Sequence, residues 1–110
     1  MALTRVSRVE MLILATLETR EQYGLAIVDK IKETTGQSLS LGSLYTTLHR
    51  MERKGLVTSR WGESTEIRQG ARRRYYQITA LGQQALTDAK QLLVKGLNLV
   101  PGLTFEGSLA

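Results

Sequence analysis

Hydroxyls, one imidazole and a group of cations follow one another at helical spacing between Ser38 and Lys54 (SLSLGSLYTTLHRMERK). Coiled as a helix, this stretch brings Leu41, Leu44, Leu48 and Met51 onto one face and commits that face to a core. The opposite face carries Ser43, Thr46, Thr47, His49, Arg50, Arg53 and Lys54. Hydroxyl groups precede positive charge along it, an order suited to base edges at the first turns and phosphates at the last. Ser43, Thr46, Thr47 and His49 are the candidates for base-edge contacts, and Tyr45, Arg50 and Lys54 for phosphate contacts that set register. A solvated surface helix presents the same pattern, because charged outer faces are the norm on amphipathic helices.

A second group of cations follows. Leu56 to Gly62 (LVTSRWG) and Arg72 to Thr79 (RRRYYQIT) are rich in β-branched and aromatic side chains, and they read as the two strands of a hairpin. The connection ESTEIRQGA is longer and more polar than a tight turn, so its tip is expected to be mobile and exposed. Arg72, Arg73 and Arg74 are expected to bring this hairpin onto a nucleic-acid backbone, with Arg68 at the tip suited to minor-groove insertion. Strand side chains alternate, so one arginine of the run must point away from such a partner, and Tyr76 and Ile78 must share a face that Tyr75 and Gln77 do not. Trp61, on the first strand, is expected to be a packed core residue.

The location of the charge says more than its amount. Residues 40 to 79 hold eight Lys and Arg against three Glu, which accounts for the whole formal charge of +5; the other seventy residues carry seven of each sign. A basic region confined to the middle of a small domain favours a polyanionic partner, and double-stranded DNA is the reading adopted. An enzyme is not expected. With no cysteine and one unsupported histidine, the chain offers no thiolate nucleophile and no common zinc cage, and it has no phosphate-cradling glycine loop, so no metal and no cofactor are assigned. No apolar run is long enough to span a membrane and MALTRVSRVEML lacks the pattern of a secretory signal, which makes a cytoplasmic protein the expectation.

The elements that must position these residues are helical. Ser7 with Glu10 reads as a capping box ahead of an almost wholly apolar helix, followed by a polar turn over residues 19 to 22. A second helix is predicted from Tyr23 and Gly24, with Tyr23, Ile27, Val28 and Ile31 on one face and Gly36 as its stop. Ser40 is the expected cap of the third helix and Gly55 its end. From Thr79 a last helix is expected to run until Pro101 forbids it. Leu81, Ala85, Leu86, Ala89, Leu92, Leu93, Leu97 and Val100 form a stripe on it wider than a small domain needs, and Leu86, Ala89, Leu92, Leu93 and Leu97 are the candidates for a dimerisation surface. The competing reading packs that stripe wholly against the first helix. The fold class expected is mainly α with a small β-hairpin: a winged helix-turn-helix over residues 1–79, a C-terminal dimerisation helix over 80–100 and a flexible tail over 101–110.

The segment YG-x-x-I at Tyr23, Gly24 and Ile27, then LSLGSLYTTLHRMERKGLV, then RRRYYQITALG, resembles in this order the phenolic acid decarboxylase regulator (PadR) family of winged-helix transcription factors. The resemblance covers about Val9 to Leu86. It implies a sequence-specific regulator, a homodimeric repressor that binds a palindromic operator through helix 40–54 and wing 56–79. Thr46 departs from the family, which usually has proline there. The single C-terminal helix is similar to the family's smaller subgroup, some of whose members bind flat aromatic drugs between tryptophans of that helix. Here that helix has no aromatic residue, and the effector is left unknown. The alternative reading is a winged-helix module that binds RNA or an acidic protein without operator specificity.

Overall fold

Local signals start and stop nearly every element. Ser7 caps α1 (Arg8–Thr16): its hydroxyl accepts the Glu10 N–H at 3.1 Å while Glu10 Oε1 accepts the Ser7 N–H at 2.9 Å, so both halves of the capping box form. The computed structural model describes residues 5–63 and 72–103. After a turn come β1 (Gln22–Tyr23) and α2 (Gly24–Thr35), which ends at Gly36 with φ +78°. Ser40 caps α3 (Leu41–Arg53), its hydroxyl accepting the Ser43 N–H at 3.1 Å. The far end of α3 closes in a Schellman motif: Gly55 takes φ +80°, Leu56 N–H donates to Met51 O at 2.9 Å and Gly55 N–H to Glu52 O at 3.0 Å. Only a residue free of Cβ strain enters that conformation cheaply.

The chain then turns into β2 (Val57–Trp61) and β3 (Arg74–Ile78), and ends in α4 (Ala80–Leu97), capped by Thr79. The hairpin is part of a three-stranded antiparallel sheet in the order β1-β3-β2. The expectation of a plain turn before α2 missed β1, whose two residues pair with Tyr76 and Tyr75. A two-residue strand has no periodicity to read; pairing with β3 creates it.

One core joins all the helices to the sheet. Ile13, Leu14 and Leu17 of the first segment meet Ile27, Ile31, Leu44, Leu48 and Met51, with Leu56, Val57, Tyr76, Ala85 and Leu86 closing it. Three expectations change here. Leu41 lies in the first turn of α3, beyond the reach of that core, and is 43% exposed. Leu86 is fully buried inside the protomer, so it leaves the set of candidate dimer residues. Finally, α4 stops at Leu97 rather than at Pro101, because Asn98, Leu99 and Val100 bond to carbonyls three residues back and tighten the last turn.

Candidate nucleic-acid interface

The outer side of α3 is polar and open. Ser43, Thr46, His49, Arg50 and Arg53 are all exposed, and Gly42, just ahead of them in the first turn, has no atom within 4 Å of where a Cβ would stand. Thr47 does not belong to this face. It is 8% exposed and its hydroxyl donates to Ser43 O at 2.8 Å, a back-bond that lets a threonine be buried at the edge of a helix without an external partner. Arg53 is the exposed cation that the sequence-based site set lacked; it has no charge partner among the described residues.

Arg50 and Lys54 are held from behind. Lys54 Nζ lies 2.9 Å and Arg50 Nε 3.5 Å from Glu10 Oε2, although Glu10 belongs to α1 and its side chain is 3% exposed. Burial is the largest influence on the Glu10 carboxyl and pushes its pKa up; the backbone hydrogen bond from Ser7, hydrogen bonding and charge from Lys54, and hydrogen bonding from Arg50 outweigh it and hold the group below the ordinary carboxylate value. A depressed folded-state pKa means that the pairing stabilises the fold fully above the unfolded value of about 4.3, and that this contribution is lost as acid carries the pH down through the folded-state value.

Tyr45 is 44% exposed and leans over α2. A Cβ on Gly24 would fall onto its hydroxyl and within 2.7 Å of its Cζ, so the glycine of the Tyr23-Gly24 pair is the seat of the Tyr45 ring. Gly24→Ala should therefore push the half-exposed Tyr45 ring aside and cost up to about 1 kcal/mol of stability, read from urea unfolding. The same change in a Tyr45→Ala background should cost nothing or gain up to about 1 kcal/mol from helix propensity. Equal losses in both backgrounds would show that the ring is not what occupies the site.

The wing is tied to α3 at its root. Glu52 of α3 accepts from the Ser59 hydroxyl at 2.8 Å and pairs with Arg74 at 3.8 Å. Its arginines are engaged with the protein itself. Arg72 donates twice to Gly62 O, at 3.2 and 3.0 Å, closing the base of the connection. Arg73 lies over the Tyr23 ring at 4.2 Å, and Arg74 bonds Ser59 and stacks on Trp61. Alternation separates them as strand geometry requires: Arg73 and Tyr75 share the outer face with Tyr23 and Arg60, while Arg74 shares the other face with buried Tyr76. Trp61 is 53% exposed, not a core residue; it sits at the far end of β2, where its ring covers the Arg74 guanidinium instead of entering the core. Arg68 lies outside the described residues.

Away from this face, the second half of α4 and the start of α1 flank an open groove of about 390 Å³ lined by Val6, Met11, Ala89, Leu92, Leu93 and Leu97 among others. Leu92 is 74% and Leu93 50% exposed beside it. Among the described residues there is no cluster of side chains able to hold a metal ion, and no helix is long and apolar enough to cross a membrane.

Known proteins share this fold. Over 58 residues, 53% of this chain and 50% of that one, the sequence is 40% identical to a transcriptional regulator of Mycobacterium tuberculosis. A PadR-family transcription regulator of Clostridium difficile is 32% identical and superposes with a TM-score of 0.71 over 84% of this chain and 97% of its own. PadR of Bacillus subtilis, solved in complex with operator DNA, shares the fold at 22% identity, with a TM-score of 0.70 over 91% of this chain and 56% of that chain. The model of the transcriptional regulator PadR-like family matches residues 13–88. By that match and by its winged-helix fold, the chain belongs to the PadR-like family of transcriptional regulators.

Proposed function

We propose that this protein is a homodimeric repressor that binds a palindromic operator, inserting α3 of each protomer into the major groove and laying the wing along the flanking backbone. The observation that carries the reading is the open face of α3, where Ser43, Thr46, His49 and Arg53 are exposed while Leu44, Leu48 and Met51 behind them are fully buried. Such a helix has polar reach on one side and a rigid seat on the other, as groove reading needs. The operator complex of the Bacillus subtilis neighbour supports the same use of the fold. Ala89, Leu92, Leu93 and Leu97 are the proposed dimer surface, and residues 1–79 and 80–100 are the DNA-binding and dimerisation parts. A cytoplasmic location goes with this role.

Affinity for duplex DNA should fall steeply with salt. Several phosphate contacts per half-site imply a loss of roughly 10³-fold or more between about 50 and 200 mM salt, measurable by fluorescence anisotropy. RNA of equal length should compete poorly against the duplex. RNA that wins the competition would favour a module without operator specificity, and a duplex affinity indifferent to salt would sink the phosphate contacts.

A further inference from the structure

Two of the cations on α3 differ from the others in having a common buried anchor. Arg50 and Lys54 stand one turn apart on the helix, and both reach the same oxygen, Oε2 of Glu10, at 3.5 and 2.9 Å. Glu10 itself cannot move far: it is buried in α1, and its other oxygen is fixed by the Ser7 N–H at 2.9 Å. The cations are only partly covered, Arg50 with 55% and Lys54 with 36% of its side chain exposed. An ammonium has three donors and a guanidinium five, so one carboxylate oxygen leaves most of their hydrogen-bonding capacity unused.

We propose that Glu10 is a positioning residue that holds Arg50 and Lys54 as a two-cation clamp for a backbone phosphate of duplex DNA. This rests on the DNA-binding reading given above. Long side chains lose rotamer freedom when they grip a ligand; a buried carboxylate that has already gathered both heads removes part of that loss. The clamp keeps a net positive charge, two cations against one anion. It also fixes the register of α3 against α1, because the anchor sits on the first helix and the heads on the third.

Simple electrostatics and the clamp predict opposite results for Glu10→Gln. Removing an anion beside a DNA-binding face should tighten binding if Glu10 merely neutralises its neighbours. Loss of the anchor should instead weaken it. Glutamine is a normal partner in a capping box, so α1 keeps its start and the variant is expected to fold.

The test uses the full chain and a labelled random-sequence duplex, since phosphate contacts are independent of sequence. Anisotropy titrations at several salt concentrations, beside thermal unfolding without DNA, compare wild type, Glu10→Gln, Lys54→Gln and the double variant. The expected result is that Glu10→Gln binds about tenfold more weakly at low salt, and that its salt slope falls by about one, as for a lost phosphate contact. The effect of Glu10→Gln should shrink once Lys54 is gone. Equal or tighter binding by Glu10→Gln with an unchanged or steeper slope overturns the clamp. A lowered unfolding midpoint with an unchanged slope also overturns it, because a merely structural acid does not alter the number of phosphates held. Wild-type protein that fails to bind the duplex at all removes the DNA-binding reading and the clamp together.

Discussion

The protein with Leu92→Glu and Leu93→Glu should scatter light as a folded monomer, whereas the wild type should scatter as a dimer. Neither leucine belongs to the protomer core: they are 74% and 50% exposed on α4, beside the apolar groove shared with the start of α1. Large exposed leucines in a contiguous patch are uncommon on monomeric proteins. A two-fold partner would bury both from each copy, at about 1.5–3 kcal/mol for each leucine removed from water. Glutamate at these positions replaces that gain with carboxylates facing an apolar surface, a desolvation cost that no nearby cation offsets among the groove-lining residues except Arg8. The isolated protomer keeps its buried core, so its unfolding midpoint should become independent of concentration while remaining cooperative. Operator affinity should fall by about 10²–10⁴, because two half-sites would no longer be joined in one molecule. A wild type that scatters as a monomer would remove the dimer and, with it, the reason to expect a palindrome.

How the charge is used could not be counted from the sequence. The eight basic residues between 40 and 79 all look available when read in line. In the fold, Arg72 closes the connection through Gly62 O, Arg73 covers Tyr23, and Arg74 is shared between Ser59, Glu52 and Trp61. These contacts hold the arginines near the wing strands, and a phosphate could engage each only by competing with a ring face or an internal hydrogen bond. Arg53 faces no such competition among the described residues, yet its spacing in sequence does not set it apart from Arg50.

Caps, stops and the helix faces were legible because each depends on residues within one or two turns. Ser7 with Glu10, Ser40 with Ser43, and Gly55 after Lys54 are local devices, and each forms as its residues predict. Features that join distant elements left no such signal. Glu10 reads only as a capping residue; its contact with Arg50 and Lys54 exists because the fold brings the start of α1 to the end of α3, some forty residues away in sequence. Thr47 falls at the margin of the α3 stripe, where a hydroxyl that bonds its own helix tips the side chain inward. Trp61 follows strand alternation correctly, sharing a face with Val57, but the core ends before it. Periodicity gives the direction of a side chain, and the extent of the neighbouring element decides whether anything covers it.

Gly82→Ala should destabilise the protein by about 3 kcal/mol or more, a large part of the 5–15 kcal/mol that holds a typical domain together. Propensity alone predicts the reverse, since alanine improves a helix interior by up to about 1 kcal/mol over glycine. Space decides the sign. A Cβ at Gly82 would land on the carbonyl oxygen of Leu56 and within 2.8 Å of Ile78 Cγ1. The side chain of Ile78 can rotate, but the Leu56 carbonyl is backbone and is already fixed, accepting the Thr79 N–H at 3.1 Å. Thr79 ties the same corner twice more, donating its hydroxyl to Gly55 O at 2.6 Å and accepting the Gly82 N–H at 3.0 Å. The methyl can be admitted only if the first turn of α4 lifts away from the junction of α3 and β2, and that lift withdraws Ala85 and Leu86 from the core. A loss of this size corresponds to a fall of more than about 10 °C in the unfolding midpoint for a domain of this length. Gly42→Ala is the matched control, in a helix with open space around the missing Cβ, and should leave the midpoint unchanged or raise it. If both variants unfold alike, the approach of Leu56 to α4 is soft, and the start of α4 is free to move relative to α3.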